Sequence, residues 1–156
     1  MSFRVEHRLG VSAPAEIIWE VLSDLPKWEE WNPLYTRAEG EIGFSKVLTL
    51  TIAIPGEAPE VIRPVIFNWT PDELIHWQLS LSGGLLRTVR YLEIDRLSDE
   101  GCIFANGETF RGVGSWFLPK AMKRGLRQAF ASLGEAVKAR SEALWQARGG
   151  KPISEG

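Results

Sequence analysis

Four polar side chains sit on strand faces that are otherwise apolar, and any chemistry in this sequence rests on them. Phe3, Val5, His7, Leu9 and Val11 alternate with Arg4, Glu6, Arg8, Gly10 and Ser12, so His7 shares the apolar face of a half-buried strand. Further on, Thr88, Arg90, Leu92 and Ile94 share one face of a strand, and Phe104, Asn106, Glu108 and Phe110 share one face of the next. If these faces point inward, His7, Arg90, Asn106 and Glu108 form a sparse polar set in apolar surroundings, the usual makeup of a small-molecule site. A lone buried carboxylate needs a partner or a proton, and Arg90 is the natural partner for Glu108 when the two strands pair in register. Such a pair can be purely structural, or it can orient a ligand or move a proton. His7 likewise reads as a core histidine bonded to a neighbour or as a ligand contact. A β-bulge would reverse these parities.

Other chemistries lack their residues. A single cysteine, Cys102, excludes an intrachain disulfide and a Cys-rich metal site. Ser115 and His7 have no recognisable triad context. Gly112-Val113-Gly114 mimics half a dinucleotide fingerprint, but position 117 is Phe and no parallel βαβ unit follows. No metal and no cofactor is implied. The net charge of −2, with a pI near 5.8, does not suggest nucleic acid.

The elements that must position these groups follow from pattern. At 156 residues the chain is one domain, able to bury roughly 70% of its unfolded surface. Residues 1–150 read as that domain and 151–156 as a flexible tail after Gly149-Gly150. Ser12 can cap a helix opened by Pro14, with Glu16 in its first turn and Ile18, Val21 and Leu22 on its apolar face. Pro26 ends it, and a second short helix carries Trp28 and Trp31 before Asn32-Pro33 stops it. Strands are expected over 34–42, 46–54, 61–69, 74–81, 86–97 and 102–110, joined by simple turns, which reads as an antiparallel meander.

From Pro119 to Ala147 the period changes to that of a helix, with Met122, Leu126, Ala129, Leu133, Val137 and Leu144 on one stripe and Phe130 beside it. Lys120, Lys123, Arg124 and Arg127 make a basic stripe at its start, a solvated face or one turned to an anionic surface or headgroup. Gly125 and Gly134 each cost this helix about 1 kcal/mol relative to Ala, leaving room for a ligand or for close approach of the sheet. The N-terminus is charged and alternating, unlike a signal peptide, and the longest uncharged run, Leu74 to Leu86, is too short to span a membrane. A soluble, cytoplasmic protein is the expectation.

Ala13-Pro14-x-x-x-x-Trp19-x-x-Leu22-x-Asp24, followed by Trp28-x-x-Trp31-Asn32-Pro33, resembles the opening of the START-like superfamily, also called SRPBCC or the polyketide cyclase/dehydrase group. Glu108-x-Phe110-x-Gly112 before the long helix is similar to a second family motif, and the order of elements covers nearly the whole chain. The resemblance implies an α+β helix-grip fold. In it a curved antiparallel sheet of six to seven strands wraps a long C-terminal helix, with two short helices after the first strand. It also implies a hydrophobic cavity between sheet and helix. By resemblance Ile75 and Trp77 point inward and His76 outward, so the two histidines cannot form a metal pair, and the iron ligands of one superfamily branch are absent.

The expected lining is then His7, Trp28, Trp31, Trp77, Arg90, Asn106, Glu108, Phe110, Met122, Leu126 and Phe130. The segment carrying Trp28 and Trp31 is placed at the cavity mouth as a lid. The implied function is binding of a hydrophobic small molecule, lipid-like, isoprenoid or aromatic. The alternatives are a polyketide cyclase/dehydratase-like enzyme using Arg90, Glu108 and His7, and a protein-interaction module of the chaperone-ATPase-activator type. The oligomeric state stays open, a homodimer included.

Overall fold

The computed structural model describes residues 2–150. Strand β1 (Ser2–Val11) leads to helix α1 (Ala15–Ser23), a 3-10 turn at Leu25–Lys27 and the one-turn helix α2 (Trp28–Trp31). Three short strands follow, β2 (Tyr35–Glu39), β3 (Thr49–Ile52) and β4 (Glu60–Ile62). Then come β5 (Val65–Thr70), β6 (Leu74–Leu81), β7 (Leu86–Ser98) and β8 (Gly101–Arg111). A 3-10 turn at Val113–Phe117 enters the 28-residue helix α3 (Lys120–Ala147). The tail expected over 151–156 lies outside the described residues.

The architecture is the α+β helix-grip fold: a curved antiparallel sheet in the order β1-β8-β7-β6-β5, a second sheet in the order β2-β3-β4, and the long C-terminal helix. The division into two sheets departs from the single sheet expected. The run 61–69 is cut at Pro64, which has no N–H to continue a ladder. The sheets stay joined there, because the Leu48 N–H donates to the Pro64 carbonyl at 3.0 Å, the Ile66 N–H donates to the Lys46 carbonyl at 2.9 Å, and Val47 bridges Val65. A second departure is at α1, where Pro14 and not Ser12 occupies the N-cap position, with no side-chain cap. The Ser12 N–H instead donates to Glu142 on α3 at 2.7 Å, tying the start of α1 to the last helix.

Strand register decides which inward residues become neighbours. Val5, Glu108, Arg90 and Trp77 lie in one row across β1, β8, β7 and β6. Phe3, Phe110, Thr88 and Leu79 form the next row toward one end, and His7, Asn106, Leu92 and Ile75 the next toward the other. Side chains two apart on a strand are separated by roughly 6.6 Å, so these rows are distinct layers.

Helix α3 lies over the sheet and buries Leu126, Ala129, Phe130, Leu133 and Val137, each worth about 1.5–3 kcal/mol if a large side chain is fully covered. Its two glycines permit this closeness. A Cβ at Gly134 would come within 2.6 Å of His7 Nδ1, and one at Gly125 within 2.8 Å of the Pro55 carbonyl oxygen. Of the two readings for these glycines, close packing is the one realised.

The outer face depends on a third glycine. Gly107 stands opposite both Glu6 and Tyr91, and the Tyr91 hydroxyl donates across it to Glu6. Burial, reinforced by Glu6, holds the Tyr91 phenol well above its usual range. A Cβ at position 107 would come within 2.2 Å of the Val5 carbonyl oxygen and 2.6 Å of the Tyr91 hydroxyl. Gly107→Ala is therefore expected to lower the unfolding free energy by about 1–3 kcal/mol in urea denaturation. Gly10→Ala, whose Cβ would meet nothing within 4 Å, leaves it unchanged or slightly raised. Equal effects at the two positions would show that Tyr91 does not cross over Gly107.

Candidate functional site

The row Trp77–Arg90–Glu108 brings a cation and an anion together inside the cup. Arg90 Nε donates to Glu108 Oε2 at 2.9 Å, with side-chain exposures of only 8% and 3%. Burial works against the Arg90 charge, but Glu108 and Tyr35 outweigh it and hold the guanidinium more firmly charged than usual. Aromatic rings enclose the pair: the guanidinium carbon lies 5.8 Å from the Tyr35 ring centre and 6.0 Å from that of Phe130. Burial raises the Tyr35 phenol above its ordinary range, with Arg90 opposing and Glu108 reinforcing the shift. Tyr35 is in turn held by Asn32, whose Oδ1 accepts from the Leu34 N–H at 3.0 Å and the Tyr35 N–H at 2.8 Å. That turn gives the Trp31-Asn32-Pro33 motif a physical role, because it ends α2 and aims Tyr35 at Arg90.

The pair does not use all its hydrogen-bonding capacity. Among the described residues, Arg90 Nη1 and Glu108 Oε1 are buried without a partner. Both residues line a cavity of about 150 Å³ between the sheet and the N-terminal half of α3. Its walls are Leu79, Leu86, Thr88 and Phe110 from the main sheet, Ile52 and Ile62 from the small sheet, Ile54 from the loop after β3, and Leu118, Met122 and Leu126 from the helix side. Glu57 and Glu60 stand at its edge. A largely apolar chamber whose lining includes this charged pair suits a ligand with an apolar body and a hydroxyl or carbonyl end.

The sequence profile of the family described as "Polyketide cyclase / dehydrase and lipid transport" matches residues 2–142. The chain belongs to that family. No curated protein matches it. Among solved structures it resembles the Zhui aromatase/cyclase from Streptomyces sp. R1128, with a TM-score of 0.72 and 21% identity over 97% of this chain and 100% of that one. It also resembles a START superfamily protein from Mycobacterium smegmatis, with a TM-score of 0.70 and 20% identity over 90% and 98% of the two chains. A norcoclaurine synthase from Thalictrum flavum follows, with a TM-score of 0.64 and 15% identity over 92% and 96%. At these identities the likeness concerns the fold.

In this member of the polyketide cyclase / dehydrase and lipid transport family, the residues expected at the site divide by layer. Arg90, Glu108, Phe110, Met122 and Leu126 line the cavity. His7 and Asn106 lie one row behind its floor: the His7 ring packs against Gly134, and Asn106 Nδ2 donates to the Phe130 carbonyl at 3.1 Å. Phe130 is buried beneath the Arg90 guanidinium, where α3 seats directly on the sheet. Trp77 is covered by Tyr35, edge to face at 5.5 Å, and Trp28 is buried with its indole N–H donating to the Leu22 carbonyl at 3.2 Å. Trp31 faces a separate groove beside Arg140 and Leu144.

The expected lid is therefore corrected. The segment bearing Trp28 and Trp31 packs into the core against β2, and the cavity edge is formed instead by Leu118, just after the 3-10 turn, and by the loop between β3 and β4. Among the described lining residues none is Trp; Trp28 and Trp77 are buried in the core, and Trp69 is partly exposed. Leu86 and Thr88 share the parity of Arg90, and that signal could have found them. Ile52 and Ile62 come from the small sheet and Ile54 from the loop after β3, and no local pattern announces their placement over the cavity. His76 faces outward, 2.8 Å from Glu93. A wider groove of about 680 Å³ on the outer face is edged by Arg8, Asp72, Glu93 and Asp95, charged side chains open to solvent. Among the described residues no group of three His, Cys, Asp or Glu could hold a metal ion.

Removing one member of a buried pair leaves an uncompensated charge, so Arg90→Met is expected to lower stability by about 3–5 kcal/mol in urea unfolding. Arg148→Met, which breaks the exposed bond to Glu20, leaves stability almost unchanged. Arg90→Met with Glu108→Leu recovers most of the loss. A double variant no more stable than Arg90→Met alone would show that the two charges are not coupled.

Proposed function

We propose that the protein binds a small hydrophobic molecule in the cavity beneath the start of α3, with Arg90 and Glu108 holding its one polar end. Family membership supports a ligand-binding or cyclase role. The observation that carries the finer reading is the buried pair, with Arg90 Nη1 and Glu108 Oε1 left unpartnered at an otherwise apolar chamber. A hydroxyl there accepts from the guanidinium and donates to the carboxylate, and both bonds are charge-assisted. The volume of about 150 Å³ suits a single six-membered ring or the ring-bearing end of a longer molecule whose remainder leaves past Leu118 and Met122.

Cyclisation or dehydration is the second reading, because a donor and an acceptor at one ligand oxygen can polarise a carbonyl or steer loss of a hydroxyl. Binding is preferred: among the described residues the lining contains no His, Cys or Ser to serve as a dedicated base or nucleophile. The third alternative, a solid interaction module, is disfavoured by the presence of the cavity itself.

Phenol and toluene test this reading, since they share a ring and differ in the hydroxyl. In methyl NMR titrations both are expected to shift Thr88 and Leu126, with phenol about tenfold tighter or more. In the Arg90→Met, Glu108→Leu double variant toluene still binds and the preference for phenol disappears. Methyl resonances unmoved by either compound, or equal affinity for both in the unsubstituted protein, would sink the proposal.

A further inference from the structure

The cavity edge continues into a protruding rim that is apolar and unusually basic. The 3-10 turn Val113–Phe117 rests on the turn between β6 and β7, where the Gly114 N–H donates to the Leu85 carbonyl at 3.2 Å. Gly112, at φ +103°, lets the chain pass there, because a Cβ would come within 2.4 Å of the Leu85 carbonyl oxygen. On this rim Phe117 is 79% exposed, and Leu85 and Val113 are each 58% exposed. They flank Leu86 and Leu118, which line the cavity. Most large apolar side chains in the chain are buried, so three such residues on one rim form a patch that calls for a partner.

Cations that make no ion pair among the described residues gather near the patch, while Glu57 and Glu60 stand at the cavity edge. Arg87 and Arg111 are directly opposite on β7 and β8, both exposed, a like-charge pairing that destabilises a sheet. Lys120, Lys123 and Arg124 occupy the start of α3, whose first turn holds no acid, so they oppose the helix dipole. Lys123 rests over the Phe3 ring at 4.4 Å. Among the described residues none of these five cations makes an ion pair, although Arg4, Arg8, Arg37, Arg96, Lys138 and Arg148 elsewhere all do. Arg63, Arg127 and Arg140 make none either, so what marks this end of a chain of net charge −2 is the number of such cations gathered there.

We propose that this rim docks on the surface of an anionic lipid bilayer, with Phe117, Leu85 and Val113 entering the headgroup layer and the five cations meeting lipid phosphates and carboxylates. Charge complementarity selects the anionic surface. The high exposure of Phe117 selects a bilayer over an acidic protein, since a protruding aromatic wedge inserts into an interface without needing a pocket of matching shape. No described helix is long and apolar enough to cross a membrane, so the contact is peripheral. The proposal rests on the cavity reading in one respect: docking brings the cavity edge to the lipid surface, where a hydrophobic ligand could be exchanged.

Co-sedimentation with phosphatidylcholine vesicles and with mixed phosphatidylcholine–phosphatidylserine vesicles tests it. The protein is expected to pellet with the mixed vesicles only, and less as salt rises. Phe117→Ser should weaken binding about tenfold or more, and Arg87→Gln and Arg111→Gln about fivefold each. Arg140→Gln is the charge-matched control, because 20 residues of helix separate it from Lys120, about 30 Å, and it should bind as the unsubstituted protein does. All these variants should keep phenol binding. Equal pelleting with both vesicle types, no pelleting with either, or indifference to Phe117→Ser would overturn docking and leave the cavity reading intact. Association of the same rim with an acidic protein but not with vesicles would overturn it as well. Loss of phenol binding in the unsubstituted protein would strike the cavity reading alone.

Discussion

The buried ion pair between Arg90 and Glu108 constrains the fold more tightly than any other contact. Two charges removed from water are tolerable only beside each other, so β7 and β8 must pair with these residues in register. A slip of one residue would turn Glu108 to the outer face and bring Gly107 or Thr109 inward, stranding the arginine. The same register stacks Val5 and Trp77 in the row, so the pair, the aromatic core and the first strand are set together. Tyr35 and Phe130 then close over the guanidinium from the small sheet and from α3, so the pair also fixes how the two remaining layers approach.

From that floor the cavity's position follows. Toward one end α3 sits hard on the sheet, because Gly134 lets it press against His7 and because Phe130, Leu133 and Val137 fill the contact. Toward the other end the helix begins beyond Pro119, and shorter or more distant side chains such as Thr88, Leu86 and Met122 leave space. The interior is thus a solid core with a chamber at one end. Its smallness limits what can enter, and its charged floor orients what does.

The surface repeats this polarity. Ion pairs cover the outer sheet face and the far end of α3, where Arg148 meets Glu20 and Lys138 meets Glu142. The five cations around the cavity edge make no ion pair among the described residues, which is also true of Arg63, Arg127 and Arg140. That arrangement sacrifices some helix and sheet stability at Lys120, Arg124, Arg87 and Arg111. Residues that break a local rule for stability without a compensating neighbour are the ones whose compensation should be sought outside the chain.

The fold and the ion pair were legible in the sequence because both depend on short-range period. Alternation placed Arg90 and Glu108 on inward faces, the 3.6-residue stripe found α3 within a residue, and the Trp-Asn-Pro and Glu-x-Phe-x-Gly segments tied these to a fold family. Ser12 does not cap α1 because the helix begins only at Ala15, with Pro14 at the N-cap position, and the strand expected over 61–69 is severed at Pro64. Parity gave His7 and Asn106 the right face but could not say which layer of that face would be covered. Whether an inward position borders a chamber or a packed helix depends on the crossing of α3 and the seat of the small sheet. Those are long-range contacts, set by glycines and side-chain volumes on elements far apart in the chain, and only the tertiary structure decides them.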